Sequence, residues 1–377
     1  MHLISGGDTG GAKTHVITLL KELKNQEDIM LVCLMEGDFS RDAKKAGIPV
    51  TVVAQKQRYD LTVVKKLKQL YDQGNYDLLH CHGARANFLA VFLRVWAKIP
   101  VVTTVHSDYR LDFDDSLYRK WIYTNINSIA LRMIPYYIVV TENFKQLLVE
   151  RHFDSERIYI TYNGIQIDNQ LSSVEDPAVF LKKHQIDYVE GCLYVGIVAR
   201  LHPVKGIEVF LQAAKQIIQE YPNVKFLVAG NGECMAEYKT WVEKNNLTSF
   251  IFFLGHIADI ESFYHTIDIN VLTSYSEGFP YALLEAAQQK KATISSAVGG
   301  IPEMIEDQRS GYLFQPGDVE ALVRYLKTLI ESPEKRKVLG EQFYERVKEK
   351  FSATQMAESH VEIYKQIQER SFKMKKQ

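Results

Sequence analysis

Short apolar runs rich in β-branched residues alternate along the chain with stretches whose apolar residues recur at helical spacing. This alternation is typical of α/β proteins with parallel sheets. In the first half, the predicted helices include Ala12–Leu23, Leu61–Gln73 and Ser116–Arg132. The predicted strands of that half are Leu3–Ser5, Ile29–Met35, Val50–Ala54, Leu78–Cys81, Val101–Val105, Tyr137–Val140 and Ile158–Tyr162.

A second α/β series follows a polar stretch without a clear period, Val174 to Gly191, which we interpret as a linker or a peripheral helix. At the far end, Ala353–Gln368 has apolar residues at helical spacing, which predicts a terminal helix but does not identify its packing partner. The predicted strands of the second series are Leu193–Val198, Lys225–Ala229, Ile251–Leu254, Ile269–Thr273, Ala292–Ser295 and Tyr312–Phe314.

The predicted fold class is therefore α/β, with two Rossmann-like domains built on parallel sheets. A chain of 377 residues is too long for one ordinary core. We expect the first domain over residues 1–170, a linker over 171–189 and the second domain over 190–352. Hydrophobic residues make up 46% and charged residues 24%, and the formal net charge is −1. This balance indicates a globular protein and gives no electrostatic reason to expect nucleic acid as a partner.

The four cysteines are scattered and form no CxxC pair, which favours a reducing compartment and no structural zinc. The first apolar residues lead directly into a Gly-rich turn, so we expect no secretion signal. The longest apolar stretch, Phe88 to Val102, is broken by Arg94 and Lys98. It falls short of the roughly 20 apolar residues of a membrane-spanning helix. We therefore expect a cytoplasmic protein, at most attached to the inner membrane surface.

The first chemical signal is the run SGGDTGGA (residues 5–12), between a predicted strand and a predicted helix. Its glycines permit positive φ, and the following helix start offers free N–H groups to an anion. The run could contact a phosphate or a sugar, or it could be only a tight turn. Its spacing departs from the G-x-G-x-x-G dinucleotide fingerprint, which argues against an NAD-dependent dehydrogenase, although Glu36 follows the second strand.

The second signal is the run VARLHPVKG (residues 198–206), directly after the first strand of the second series. Arg200 offers a planar fork of donors and Lys205 a mobile point charge. Because ligands of open parallel sheets collect at the carboxyl ends of strands, the two cations could neutralise a diphosphate there.

The third and most specific signal is SEGFPYALLE (residues 276–285), which follows a predicted strand and opens a helix. Pro280 suits a first helical turn. Glu277 would precede the helix and Glu285 would lie more than a turn inside it. Both carboxylates could face one ligand while free amides nearby point toward a phosphate or a sugar. Alternatively, they are a dipole-favouring acid and an ordinary surface glutamate.

Metal and membrane binding are less well supported by the pattern. His80 and His82 would share a strand face, but no third ligand stands at a suggestive spacing, so we expect no metal site. Aromatic and basic residues recur over Ser107–Tyr137, and a basic cluster includes Lys56, Arg58, Lys65, Lys66 and Lys68. These could contact anionic lipid or could be solvated helix faces.

The ordered set of motifs resembles the retaining glycosyltransferases of family four, the group 1 glycosyltransferases with an E-x7-E element. The resemblance covers nearly the whole chain and is closest between Val195 and Asp318. It implies a fold of the glycosyltransferase B type, with two domains facing across a cleft and a final helix, residues 353–377, that returns to the first domain. The supporting motifs, in order, are LHCHG (79–83), TVHS (104–107), YNGI (162–165), VAGNGE (228–233), FLGHI (253–257) and GGIPE (299–303).

The resemblance also implies a donor site, mainly in the second domain. Arg200 and Lys205 would hold the donor diphosphate, Glu285 would hydrogen-bond the ribose hydroxyls, and the backbone at Ile257 would contact the nucleobase. The implied substrates are a nucleotide-sugar, with UDP favoured, and a glycan, lipid-linked or small-molecule acceptor.

By the same resemblance, Glu277 and the amides of Gly278 and Phe279 would hold the sugar. His106 would reach the sugar from the first domain, and Gly11 would border the phosphates. Glu277 could act as a nucleophile, as carboxylates do in glycoside hydrolases. The resemblance favours a positioning role instead, with acceptor attack from the leaving-group face and no metal or other cofactor. A nucleotide-sugar epimerase of the same fold and a disabled nucleotide-sugar-binding protein are the alternative functions.

Overall fold

The computed structural model describes residues 1–7, 10–57, 60–106, 127–167 and 174–376, with side chains described as far as Phe372. The chain divides into two compact units. The first consists of residues 1–166 together with 352–377, and the second of residues 167–351.

The first unit contains a seven-stranded parallel sheet in the order β3-β2-β1-β4-β5-β6-β7. Leu3 of the central strand pairs with Val32 on one side and Cys81 on the other. The central strands are buried along their whole length, as expected for a sheet covered on both faces. The strands are β1 (His2–Ile4), β2 (Leu31–Cys33), β3 (Val50–Val52), β4 (Leu79–His82), β5 (Val101–Val105), β6 (Tyr136–Val139) and β7 (Ile158–Ile160).

The helices that connect these strands follow the predicted amphipathic pattern. The first helix buries Val16, Leu19, Leu20 and Leu23 at helical spacing. The connecting helices are α1 (Gly11–Leu23), α2 (Asp38–Lys45), α3 (Thr62–Gln73), α4 (Ala84–Ala97) and α5 (Glu142–Glu150).

The second unit contains a six-stranded parallel sheet in the order β10-β9-β8-β11-β12-β13. Its strands are β8 (Leu193–Val198), β9 (Val224–Ala229), β10 (Ile251–Gly255), β11 (Ile269–Leu272), β12 (Ala292–Ser296) and β13 (Tyr312–Phe314). Its helices are α6 (Pro177–Lys183), α7 (Ile207–Glu220), α8 (Met235–Lys244), α9 (Ile260–Thr266), α10 (Tyr281–Gln288), α11 (Ile301–Met304), α12 (Val319–Glu331) and α13 (Pro333–Lys350).

The stretch from Val174 to Gly191, which we interpreted as a linker or a peripheral helix, contains the short helix α6. Asp176 caps this helix by accepting a hydrogen bond from the amide of Ala178, and Pro177 occupies its first position. Phe180 and Leu181 are buried in a cluster of the second unit. The polar composition of the stretch concealed these two buried residues.

The last helix, α14 (Ala353–Lys376), belongs to the first unit. Met356 and Ala357 pack in the cluster formed by α1 and its neighbours, and Ile363 and Ile367 pack with β5 and β6 residues. The structure thus identifies the partner that helical spacing left open. Within the described residues, none of the helices combines the length and apolar character needed to cross a bilayer. The prediction of two Rossmann-like α/β domains is confirmed.

Candidate functional site

In the second sheet, the direction in which the chain adds strands reverses between β8 and β11. The chain passes from β8 to β9 and β10 on one side, and then returns to place β11 on the other side of β8. In doubly wound sheets, ligands bind in the crevice outside the carboxyl ends of the strands at such a switch point. The loops that follow β8 and β11 contain the basic run and the E-x7-E element.

Lys205 and Glu277, from these two loops, form an ion pair. The Nζ of Lys205 lies 2.6 Å from Oε1 of Glu277, and the hydroxyl of Ser274 donates to the same oxygen at 2.6 Å. The Glu277 side chain is only 8% exposed and that of Lys205 is 22% exposed. The carboxylate is therefore oriented by two donors, while its cation partner retains access to solvent.

Backbone contacts hold the two loops together around this pair. The Thr273 hydroxyl donates to the Lys205 carbonyl at 3.1 Å, and the Tyr275 amide donates to the Val204 carbonyl at 2.8 Å. Gly206 has φ of +59°, and a Cβ there would lie 2.2 Å from the Thr273 carbonyl oxygen. Only glycine allows so close an approach of the two loops.

The backbone of Glu277 and Gly278 rests on the loop after β12, which contains the GGIPE motif. The Gly300 amide donates to the Gly278 carbonyl at 2.9 Å, and a Cβ on Gly299 would lie 1.9 Å from the Glu277 carbonyl oxygen. Phe279 is buried, with its ring 5.0 Å from that of Phe351. The first residues of the E-x7-E element are thus fixed by the packing of Phe279 against Phe351 and by the close contact of Gly299 with the Glu277 carbonyl.

Glu285 lies in α10, whose N-cap residue is Pro280. The structure places this proline just before the helix, where its extended ψ ends the preceding loop, and not in the first helical turn that we predicted. Burial raises the pKa of Glu285 to about 7, nearby Glu261 adds to the rise, and a hydrogen bond from the Tyr264 hydroxyl opposes it. The group is therefore poised between its two protonation states near neutral pH.

Arg200 is exposed at the carboxyl end of β8, and no ion pair or hydrogen bond engages its guanidinium among the described residues. The backbone next to Arg200 packs closely against the loop after β9. A Cβ on Gly230 would lie 1.9 Å from the Ala199 carbonyl oxygen. The Gly230 amide in turn donates to the Gly255 carbonyl at 2.7 Å. Ile257 follows in the next loop, with its side chain buried. The loops after β8, β9 and β10 thus form one connected edge.

Gly11 and His106 belong to the first unit. Gly11 is the exposed first residue of α1, after Gly10 with φ of +63°, while Asp8 and Thr9 of the Gly-rich run lie outside the described residues. His106 follows β5 directly. The aromatic and basic segment at residues 107–126 and Arg58 of the basic cluster also lie outside the described residues.

His106 is part of a histidine cluster that the sequence pattern did not reveal. Its members come from five separate stretches of the first unit and their rings lie within contact of one another: His2, His15, His80, His82, His106 and His360. His80 and His82 do share a strand face, as expected, and both are buried. The other members could not be found from spacing, because the cluster forms only when β1 and β5 pair with β4 and when α1 and α14 pack on the sheet.

The cluster is uncharged at neutral pH. Desolvation lowers the pKa of His15 and His82 well below 6.5, and repulsion between neighbouring imidazoles lowers it further. Burial lowers the pKa of His106 and of His360 to about 4. His80 accepts or donates at both nitrogens, to the Tyr364 hydroxyl and the Thr104 hydroxyl, each at 2.6 Å.

Comparison with known families agrees with this architecture. The family model described as glycosyl transferases group 1 matches residues 181–346, and the model described as Glycosyltransferase Family 4 matches residues 9–169. The first match contains every second-unit residue of the candidate site, and the second contains Gly11 and His106.

Individual relatives have low sequence identity to this chain, but the matches cover most of both chains. An N-acetyl-alpha-D-glucosaminyl L-malate synthase of Bacillus anthracis is 26% identical over 83% of this chain and 80% of its own length. A UDP-Gal:alpha-D-GlcNAc-diphosphoundecaprenol alpha-1,3-galactosyltransferase of Escherichia coli is 25% identical over 80% of this chain and 79% of its own.

Among solved structures, Anabaena HepE in complex with UDP-glucose superposes with a TM-score of 0.82 at 22% identity, covering 97% of this chain and 100% of that one. The likeness shows the fold, and the two family models follow each other along most of the chain. The chain therefore belongs to the group 1 glycosyltransferases and has the glycosyltransferase B fold.

Proposed function

We propose that this glycosyltransferase is a retaining enzyme that moves a hexose-type sugar from a nucleotide-sugar, preferably a UDP-sugar, to a glycan, lipid-linked or small-molecule acceptor. The observation that carries the proposal is the Lys205–Glu277 pair at the switch point of the second sheet, with Arg200 exposed in the same loop as Lys205. The Escherichia coli relative is named for UDP-Gal and a lipid-linked acceptor, which supports a role in polysaccharide or glycoconjugate synthesis.

In the proposed reaction, the bond between the anomeric carbon and the donor diphosphate breaks, and its electron pair leaves with the diphosphate. An acceptor hydroxyl forms the new bond on the same face of the sugar, and its proton passes to an oxygen of the departing diphosphate. Arg200 and Lys205 stabilise the negative charge that develops on the leaving group. Two such cations supply what a metal ion supplies elsewhere, so we propose transfer without a metal or another cofactor.

Glu277 is proposed to position the sugar hydroxyls together with the amides of Gly278 and Phe279. The carboxylate is held by Lys205 and Ser274, so its orientation exists before the donor arrives. Preorganised groups of this kind stabilise a transition state without a reorganisation cost. Glu285 is proposed to accept hydrogen bonds from the ribose, and the backbone at Ile257 to contact the base. His106 and Gly11 are proposed to contribute from the first unit.

We also propose a cytoplasmic location with peripheral contact to an anionic membrane surface. Helix α4 presents Val95 and Trp96, 65% and 61% exposed, between the exposed cations Arg94 and Lys98. Apolar and aromatic side chains flanked by basic ones suit the membrane interface. Trp96→Ala should reduce flotation with anionic vesicles, whereas equal flotation of both proteins would exclude this surface.

The proposal is tested by thermal unfolding of the purified protein against a panel of nucleotides and nucleotide-sugars. A ligand that binds only the folded state raises the melting temperature by mass action. We expect uridine nucleotides to stabilise the wild type and not Arg200→Ala. Arg324→Ala, which removes an exposed arginine from α12, is the matched control and should respond like the wild type.

A second measurement separates transfer from the alternatives. Release of free nucleotide only when an acceptor is present indicates glycosyl transfer. Conversion of the donor sugar without acceptor would indicate an epimerase, and binding without turnover would indicate a disabled protein. A panel in which no nucleotide stabilises the wild type would contradict the proposed donor site.

A further inference from the structure

Three histidines of the first unit converge with their ring nitrogens close together. His15 lies on α1, His82 ends β4 and His106 follows β5, and one nitrogen of each lies within 4.8 Å of the others. The ring centroids are separated by 4.6 Å (His15 to His106), 5.8 Å (His82 to His106) and 6.1 Å (His15 to His82). Three separate elements therefore bring imidazoles to one point.

Each of these histidines has one buried nitrogen without a hydrogen-bond partner: Nε2 of His15, Nδ1 of His82 and Nε2 of His106. A buried polar atom without a partner is costly, and a cluster of them needs an explanation. Three converging histidines, each with an unpartnered nitrogen, are an arrangement that a bound cation would satisfy.

Neighbouring groups determine which nitrogen of His15 carries the proton. Its Nδ1 lies 2.9 Å from Oδ1 of Asn163. An amide oxygen only accepts, so Nδ1 of His15 must donate, and the lone pair is left on Nε2. Histidine ligands of metals characteristically donate their second N–H to an oxygen in this way.

A second contact allows the same arrangement at His82. Its Nε2 lies 3.2 Å from Nδ1 of His2. When Nε2 of His82 donates to that nitrogen, the lone pair of His82 lies on Nδ1, the atom without a partner. The Asn163 oxygen thus sets the tautomer of His15, and the His82 tautomer that donates to His2 leaves its lone pair on the atom without a partner.

An alternative triad, His2–His80–His82, also lies within 4.8 Å. Both nitrogens of His80 are already engaged, by Tyr364 and Thr104 at 2.6 Å each. A metal there would have to displace one of these hydrogen bonds. The triad with three uncommitted nitrogens is therefore preferred.

We propose that His15, His82 and His106 form a binding site for a zinc-like divalent transition metal ion, and that occupation of this site inhibits the enzyme. Imidazole suits zinc, copper and nickel, and three histidines leave a fourth tetrahedral position open. Zn–N bonds of about 2.0–2.1 Å place tetrahedral ligand atoms roughly 3.4 Å apart, so the ligand atoms need to close by little more than an ångström.

Because burial keeps these imidazoles neutral, the ligands lose no proton when a metal binds near neutral pH. The ion is not a cofactor of transfer. The inhibitory part of the inference rests on the proposed role of His106 at the sugar, since a metal-bound imidazole no longer reaches a substrate hydroxyl. Nucleotide binding by second-unit residues should be unaffected.

The site is tested on tag-free, chelator-treated protein by calorimetric titration with zinc and by visible absorption with Co²⁺. We expect one zinc per chain and a tetrahedral cobalt spectrum, both lost in His15→Ala, His82→Ala and His106→Ala. His265→Ala, which removes an exposed histidine of the second unit, should bind zinc like the wild type. If either fully buried variant fails to melt cooperatively, His106→Ala decides, since His106 is partly exposed.

Absence of saturable zinc binding to the wild type, or binding that survives His106→Ala, would overturn the inference. Inhibition is measured separately, as loss of sugar transfer on titration with zinc at constant nucleotide affinity. Zinc binding without inhibition would overturn the inhibitory role and would also count against His106 at the sugar. Failure of the nucleotide panel leaves the zinc titration intact, so the two proposals fail independently.

Discussion

The two sheets have the same doubly wound topology, yet the carboxyl ends of their strands carry opposite kinds of chemistry. In the second unit this edge presents a lysine–glutamate pair and an exposed arginine. In the first it presents two buried histidines and the half-buried His106, whose pKa values are lowered, so that they are neutral at pH 7. The topology therefore determines where ligands and polar groups gather, while the residues that follow each strand determine what the edge binds.

The difference also concerns how each edge tolerates polar groups. Glu277 is buried but compensated by Lys205 and Ser274, so removal of one partner leaves an uncompensated charge. The histidines of the first unit avoid the cost of burial by remaining uncharged. Acid should therefore disturb the first edge, and loss of one charged partner should disturb the second.

The largest expected effect is a loss of stability of the first unit in acid. The folded histidines have lowered pKa values, to about 4 for His106 and His360, against an ordinary value of 6.5. Between these two pKa values the unfolded chain binds more protons than the folded one. The contribution of the neutral histidines to the free energy of unfolding is therefore complete above pH 6.5 and is lost as the pH falls toward 4. Each such proton changes stability by about 1.4 kcal/mol per pH unit.

Amide hydrogen exchange at pH 7.5 and 5.5, read separately in α1 and α7, measures this difference. Protection of α1 should fall steeply, and that of α7 much less. Equal losses in both helices would remove the proposed contrast between the two edges.

The next effect is on turnover. Glu277→Gln retains the shape of the side chain but loses the charge that pairs with Lys205 and orients the sugar, so we expect kcat to fall by about 100-fold or more. Donor affinity, measured by titration with the nucleotide, should change little. Glu243→Gln, at an exposed glutamate of α8, is the control. Unchanged turnover with a large loss of donor affinity would refute the positioning role.

A smaller effect is expected on stability from Gly299→Ala. The new Cβ would lie 1.9 Å from the Glu277 carbonyl oxygen, at a residue with φ of +54°. Gly191→Ala is a matched control, because Gly191 has φ of +76° but no atom within 4 Å of the new Cβ. The control should lose about 1 kcal/mol from backbone strain alone, and Gly299→Ala more than about 2 kcal/mol. Equal urea midpoints for the two variants would show that the contact is not tight.

The smallest effect concerns Glu285. Its pKa of about 7 predicts that nucleotide affinity rises through neutral pH as the carboxylate forms and accepts ribose hydroxyls. Tyr264→Phe removes the hydrogen bond that lowers this pKa, so the midpoint of the affinity profile should move to higher pH. A profile that is flat between pH 6 and 8 would argue against contact of Glu285 with the ribose.

Much of the fold was predictable from local pattern. The predicted bounds of β5, β8 and β13 agree with the structure, and the other strands differ by a few residues at their ends. These strands are buried apolar runs bounded by turn residues, which periodicity detects well. Helix α6 was ambiguous because only Phe180 and Leu181 reveal its buried side within a polar stretch.

The candidate site was predictable as a set of residues but not as a set of contacts. Lys205 and Glu277 were both candidates, yet their pairing across 72 residues depends on β8 and β11 being neighbours. The histidine cluster could not be predicted from the sequence for a related reason. His15 and His360 approach the β4 histidines only because α1 and α14 pack on the sheet. Sequence spacing describes one element at a time, whereas these contacts join several.

Helix α14 gives the molecule a particular order of assembly during translation. When the ribosome has completed residues 1–166, the segment carrying Met356, Ile363 and Ile367 has not been made, although these side chains fill the core of that first unit. The nascent amino-terminal half therefore keeps these apolar contact positions uncovered while residues 167–351, a separate compact unit, emerge. Chaperone dependence during synthesis should consequently concentrate on the half that is translated first.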